Sequence, residues 1–404
     1  MRFEFVDRKD KYDAKIKVIG IGGGGGNAIN NMISAKLKGV EFIAANTDSQ
    51  DLERSACPNK LQLGATITRG LGAGSDPEMG RMSAEESISD IREWVNGADM
   101  IFLTAGMGGG TGTGASPLIA RECKESGALT VAVVTKPFKF EGEKRMERAL
   151  AGIERLKKDV DTLIIIPNER LKAIGDRNAM FKDLITRADD ILLNAVRGIS
   201  DLIMSNGFIN LDFADVKKVM AEMGTAIMGT GRAGGDNRAS EAAQQAINSP
   251  LLEDISVSGA RGLLMNITAP SDITMDEIDE ASNYIKNEVA EDAEIVWGIV
   301  FNEEMGDEVQ ITVIATGIDK ENYKKVVRLR DLTPEEVKDP WTVKVNGEEL
   351  DELDIPAFQR KGSHEAQIEK PDKELPVQEK KKGFLRKAFK DDLDFPAFLR
   401  VKAD

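Results

Sequence analysis

The chain has 404 residues, 41% of them apolar, and a formal net charge of -15. That length suits two domains, a tail and a large buried core, and the charge argues against general nucleic-acid binding. Two cysteines, Cys57 and Cys123, fit reduced cytoplasmic thiols, and the single histidine, His364, all but excludes His-based metal sites and catalytic triads.

The opening residues, MRFEFVDRKDKYD, lack the apolar core of a signal peptide. No apolar run approaches the about 20 residues of a membrane span, so no transmembrane segment is expected. From Lys15 to about Asn168, the β-branched runs KVIGI, EFIAAN, MIFLTA, LTVAVVT and TLIIIPN alternate with helical stretches. That pattern predicts a parallel sheet with helices on both faces. Residues 181–206 keep apolar side chains at helical spacing without proline, which predicts one long helix. A loop, GFINLDFAD, leads to a second α/β segment with strands GLLMNITA, EIVWGIVF and EVQITVIAT. From about 320 the charges and prolines rise and periodicity fades, predicting a flexible linker to 391. Within it, Asn346-Gly347 in WTVKVNGEEL marks a hairpin turn.

Five consecutive glycines, Gly22 to Gly26, sit between a strand and a helix pattern. Such a run is costly to order, so it predicts a ligand close to bare backbone. Gly20, Gly22 and Gly25 match G-x-G-x-x-G, which alone fits a dinucleotide turn of an NAD-dependent dehydrogenase. A second run, TAGMGGGTGTGASP from Thr104 to Pro117, also follows a strand and opens a helix. A third, RGLGAGSDPEMG from Arg69 to Gly80, is placed to close over a terminal phosphate. Two phosphate cradles in one domain suit a triphosphate better than a nicotinamide cofactor. No G-x-x-x-x-G-K-[ST] is present, which excludes a P-loop NTPase.

On GLGAG, GGGTGTG at Gly108–Gly114, KPFKFEG and NLDFADV, in that order, residues 15 to 318 resemble the FtsZ family, the bacterial tubulin homologues of cell division. The resemblance implies a tubulin/FtsZ-like α/β fold. Its parts are an N-terminal extension (1–14), a GTP-binding domain (15–180), a central helix (181–206), a C-terminal domain with a catalytic loop (207–319), a linker (320–391) and a tail docking peptide (392–404). It implies a GTPase that polymerises head to tail into the division ring on the inner face of the membrane. Carried over position by position, Gly23, Gly24, Gly25, Gly26 and Asn27 meet the nucleotide, and Gly110, Thr111 and Gly112 hold its phosphates. Glu141 and Arg145, four apart and read as one helix face, meet ribose and phosphate; Asn168, read as ending a strand, meets the ribose. Asp189, not its neighbour Asp190, reads guanine, since one carboxylate accepts both N1–H and the 2-amino group.

The resemblance further implies that Asn210, Asp212 and Asp215 enter the nucleotide site of the next subunit, so that hydrolysis waits for assembly. Asp212 also suits a helix cap. Mg²⁺ bridges phosphates with few protein ligands, and Asp48 approaches its waters. A GTP-binding regulator that assembles without hydrolysing is the other alternative, and the two acids of that loop argue against it. Two features depart from the family: GGGGGN stands for the common GGAGGN, and Ile185 stands where many members stack an aromatic on the base. The basic stretch Lys380–Lys390 suits an anionic surface. LDFPAFLR, Leu393 to Arg400, resembles the tail peptide that docks on membrane adaptors such as FtsA. Forty positions earlier LDIPAFQR, Leu353 to Arg360, reads as a second copy.

Overall fold

The computed structural model describes residues 14–174, 180–204, 212–221, 224–252, 259–290 and 293–318. Asn210, the linker and both tail-like peptides lie outside the described residues. The strands are β1 (Ile16–Ile21), β2 (Val40–Asn46), β3 (Asn59–Gln62), β4 (Met100–Gly106), β5 (Leu129–Lys136), β6 (Thr162–Pro167), β7 (Gly224–Gly234), β8 (Gly262–Ala269), β9 (Glu294–Phe301) and β10 (Glu308–Thr316). The helices are α1 (Gly22–Ser34), α2 (Ser49–Arg54), α3 (Ala65–Thr68), α4 (Pro77–Glu86), α5 (Ile88–Val95), α6 (Thr111–Glu125), α7 (Glu143–Asp159), α8 (Asn168–Ile174), α9 (Phe181–Met204), α10 (Phe213–Ala221), α11 (Arg238–Ile247) and α12 (Met275–Asn287).

The strands hydrogen-bond in the order β3-β2-β1-β4-β5-β6-β7-β10-β8-β9. From β3 to β7 every pair is parallel. β10 runs antiparallel to both β7 and β8, and β9 is parallel to β8. Parallel neighbours need crossover helices, and the near-continuous apolar runs of β1, β4 and β5 follow from burial on both faces. Ile16 and Val18 face the cluster holding Ala28, Ile29 and Met32 of α1 and Leu192, Val196 and Ile199 of α9. Ile19 and Ile21, one position out of phase, face Ala115 and Ile119 of α6 and Ile153 of α7. α9 is the hub of the first cluster, which also takes in Met228, Leu264 and Ile314 from β7, β8 and β10. A third cluster packs α11 and α12 on the other face of those strands.

The helix expected over 181–206 is described as α9 to Met204. β7 carries no apolar alternation in sequence because α11 lies directly on it. A Cβ at Gly229 or Gly231 would stand 2.0 Å from the carbonyl oxygens of Ala246 and Ala242. Close approach here demands glycine, and glycine hides the strand pattern.

Candidate functional site

β1 and β4 are neighbours, but α1 leaves towards one face of the sheet and α6 towards the other. At such a switch point a crevice opens beyond the C-terminal ends of parallel strands. The three glycine segments meet there.

The five-glycine run is the first turn of α1 and not a loop before it. Strand passes straight into helix because Gly22 adopts φ 70°, a conformation that glycine alone takes freely. Part of the glycine demand is internal, contrary to the sequence reading. A Cβ on Gly25 would lie 2.3 Å from the Thr104 carbonyl oxygen, and one on Gly20 would lie 2.4 Å from that of Gly25. These residues let α1 lie against β1 and β4. Gly23, Gly24 and Asn27 are exposed, and a Cβ on Gly26 would meet nothing within 4 Å.

α6 begins at Thr111 after Gly110, whose Cβ would crowd Ala73 at 2.8 Å and the Asp76 amide at 3.0 Å. A Cβ on Gly112 would come within 2.7 Å of the Gly106 carbonyl, and one on Gly22 within 3.0 Å of the Gly112 amide. The starts of α1 and α6 therefore touch. Neither has a side-chain cap, and neither carries an acid in its first turn. By contrast α2, α4 and α12 are capped by Asp48, Asp76 and Thr274. Two uncapped N-termini offer backbone donors and positive dipole ends to one anion.

The third segment is tied to this pair through Thr47. The Thr47 carbonyl accepts the Gly72 amide at 3.3 Å and the Thr68 hydroxyl at 3.2 Å. Its own hydroxyl lies 2.6 Å from the hydroxyl of Thr111. Asp48 uses Oδ1 to cap α2, accepting the amides of Gln50 at 2.9 Å and Asp51 at 3.4 Å. Its Oδ2 stands beside Gly72. Thr47 and Asp51, whose Oδ2 lies 3.2 Å from a Cβ built on Gly23, escaped the sequence reading. The polar run NTDSQD, directly after a strand of the parallel sheet, was the available signal.

Glu141 and Arg145 do not share a helix. Glu141 ends a 3-10 turn, Lys139–Glu141, and Arg145 stands in α7 beyond Gly142 at φ 97°. The side chains still meet, Arg145 Nε lying 3.0 Å from Glu141 Oε2, while Glu141 Oε1 accepts the Phe138 amide at 2.8 Å. The Arg145 carbonyl would crowd a Cβ on Gly108 at 2.7 Å, which places this pair against the second glycine segment. Asn168 begins α8, one residue past the end of β6, because the strand stops at Pro167. It is buried, and its Oδ1 lacks a hydrogen-bond donor among the described residues.

On α9, Asp190 accepts a hydrogen bond from Asn31 Nδ2 of α1 at 3.0 Å. Asp189 shows no such partner among the described residues. Burial first, and the Asp190 charge second, push the Asp189 carboxyl up to about 6. Ile185, one turn earlier, is half-buried.

Asp212 and Asp215 are not part of this assembly. Asp212 immediately precedes α10, its carbonyl accepting the Asp215 amide at 2.9 Å, and both residues are exposed. α1 and α9 run side by side in the same direction, through Asn31 with Asp190 and Arg197 with the Ala35 carbonyl, until Gly39 meets Met204. Gly39 precedes β2, so α9 ends at the N-terminal edge of the sheet. The Met220 carbonyl of α10 is held by Thr162, the first residue of β6, at that same edge. Strands of this length separate the two edges by roughly 20 Å.

A model of the Tubulin/FtsZ family GTPase domain matches residues 15–176, and one of the FtsZ family C-terminal domain matches residues 224–319. The cell division protein FtsZ of Pseudomonas aeruginosa is 48% identical over 413 aligned residues, covering 100% of both chains. That of Rickettsia felis is 53% identical over 326 residues, 80% of this chain and 72% of the relative. Among solved structures, an empty FtsZ dimer from M. jannaschii superposes with a TM-score of 0.73 at 43% identity, covering 76% of this chain and 89% of that one. The chain belongs to the FtsZ family, the tubulin-like GTPases of cell division.

Proposed function

We propose that this GTPase hydrolyses GTP only when one copy docks on the next, each interface joining a phosphate-binding edge to a carboxylate-bearing edge. The observation that carries this is the placement of the uncapped starts of α1 and α6 at one edge of the sheet and of Asp212 and Asp215 at the other. No single copy brings them together, whereas a head-to-tail contact does. The dimeric FtsZ relative from M. jannaschii supports self-association as such. In this reading residues 15–180 bind nucleotide, 181–206 connect, and 207–319 carry the catalytic loop with Asn210.

Gly23 to Asn27 meet the nucleotide, Gly110 to Gly112 hold its phosphates, Glu141 and Arg145 face ribose and phosphate, Asn168 meets the ribose, and Asp189 reads guanine. The unpartnered Asn168 oxygen and Asp189 carboxylate fit such a ligand. Among the described residues no group of three or more His, Cys, Asp or Glu could hold a metal ion. Asp48 would stand nearest a bound Mg²⁺, which would supply charge neutralisation at the phosphates. Asp215→Ala should bind GTP as the parent does and hydrolyse it at least ~100-fold more slowly, with EDTA stopping turnover in the parent. Loss of GTP binding in that variant would place Asp215 in its own pocket and reject the reading.

We also propose that the protein acts in the cytoplasm at the division site, tethered by Leu393–Arg400 to a membrane adaptor such as FtsA. Leu353–Arg360 serves as a weaker second copy, with Gln359 where the tail has Leu399. No helix among the described residues is long and apolar enough to cross a membrane. Deleting 391–404 should weaken adaptor binding and leave a residue that Phe358→Ala abolishes; complete loss on deletion alone rejects the second copy.

A further inference from the structure

Thr47 sits between β2 and α2, away from the glycine-rich motifs, and nothing in those motifs calls for it. Its side chain is fully buried. Its hydroxyl faces that of Thr111, the first residue of α6, at 2.6 Å. A hydroxyl pair shares one proton between two oxygens and leaves the other proton for a further acceptor. Among the described residues the Thr47 hydroxyl has no other hydrogen-bond partner. A buried hydroxyl proton calls for an acceptor, and among the described residues Thr111 Oγ1 is the one that the Thr47 hydroxyl meets. Thr111 is 8% exposed, at the mouth where α1 and α6 begin. Its own proton is therefore the one directed outward.

The main chain of Thr47 adds a second constraint. Its carbonyl accepts the Gly72 amide and the Thr68 hydroxyl, fixing the third glycine segment to the same point. That segment is held in unusual backbone: Arg69, Gly70, Gly72, Gly74 and Ser75 all have positive φ. It keeps its course through anchors such as these, and the Thr47 side chain passes that anchoring to the start of α6.

We propose that Thr47 is a positioning residue that fixes the Thr111 hydroxyl as a hydrogen-bond donor to a phosphate oxygen of the bound guanine nucleotide. The proposal rests on the nucleotide reading above and adds a residue to it. Thr47 touches Thr111 and the third glycine segment, so its effect should fall on the phosphates.

The test is titration of the full-length protein with GTP and with guanosine, comparing the parent with Thr47→Val, Thr47→Ser and Thr111→Val. Valine keeps the shape of threonine and removes the hydroxyl; serine keeps the hydroxyl. Thr47→Val should weaken GTP binding roughly tenfold, as expected for one misdirected hydrogen bond to a charged group. Guanosine binding should stay within about twofold, and Thr47→Ser should restore GTP affinity to within about twofold of the parent. In a Thr111→Val background, Thr47→Val should add nothing further. If Thr47→Val does not fold, Thr47→Ala carries the same comparison. Unchanged GTP affinity, equal loss for GTP and guanosine, or additive losses in the double variant would each overturn the role of Thr47 while leaving the nucleotide site standing. A parent protein that fails to bind GTP overturns the nucleotide reading itself.

Discussion

Two adjacent carboxylates on α9 do different work, and the difference comes from what each one touches. Asp190 is spent on Asn31 and fixes α9 to α1. Asp189 keeps its acceptors open at the cost of burial beside another charge, which pushes its carboxyl up to about 6. Only the ionised form accepts two N–H donors, so if Asp189 reads guanine as proposed, binding below that pH requires loss of a proton. GTP affinity should be flat above pH 7 and fall as the pH drops through 6, approaching tenfold per unit. The sign for the free protein is opposite. A carboxyl raised above its unfolded value of 3.8 costs stability at neutral pH, and that cost is relieved as pH falls through 6 towards 4. Asp189→Asn presents a donor where an acceptor is needed and should lower GTP affinity ~100-fold while removing the pH dependence. Titrations at pH 5.5 and 7.5 decide this. Equal affinity of Asp189→Asn and parent would assign guanine reading elsewhere.

The glycines of the helix starts separate those that shape the chain from those that leave room for a ligand. A Cβ on Gly114 of α6 would lie 1.9 Å from the Pro77 carbonyl of α4. Gly114→Ala should cost about 1–3 kcal/mol or more in unfolding experiments, because neither backbone can yield cheaply. Gly26 stands in the first turn of α1 with nothing near its missing Cβ. Gly26→Ala should stabilise the nucleotide-free protein by about 0.5–1 kcal/mol and weaken GTP binding roughly tenfold by crowding the phosphates. Higher stability with unchanged GTP affinity would show that the open space beside Gly26 is not used. The same contrast explains how much was legible in the sequence. β-branched runs and the apolar spacing of α9 announce themselves, since burial on both faces or along one stripe leaves no other composition. Glycine is ambiguous: its three rich segments do meet at one crevice, yet in β7 it concealed a strand, and Gly20 and Gly25 also serve contacts within the chain. The break at Gly142, which parts Glu141 from the helix of Arg145, depends on a single positive φ and left no periodic trace. The polar run NTDSQD hinted at Thr47, but its partner stands 64 positions away and left no local trace.

At the scale of the whole molecule, one sheet separates the glycine-rich crevice from Asp212 and Asp215. Parallel strands send every crossover loop to the C-terminal edge, where α1 and α6 gather donors. The long α9 carries the chain to the opposite edge, where Asp212 and Asp215 are exposed. On the proposed reading, a molecule built this way should be inert alone and complete only against a second copy. The most direct measurement mixes two defective proteins: Asp215→Ala, with an intact pocket, and Asp189→Asn, with intact carboxylates. The GTP concentration is kept below what Asp189→Asn can bind. Each alone should be nearly inactive. Together they should hydrolyse GTP at roughly a quarter of the parent rate, because random pairing makes about that share of interfaces complete. A mixture no more active than the sum of its parts would contradict a site shared between copies.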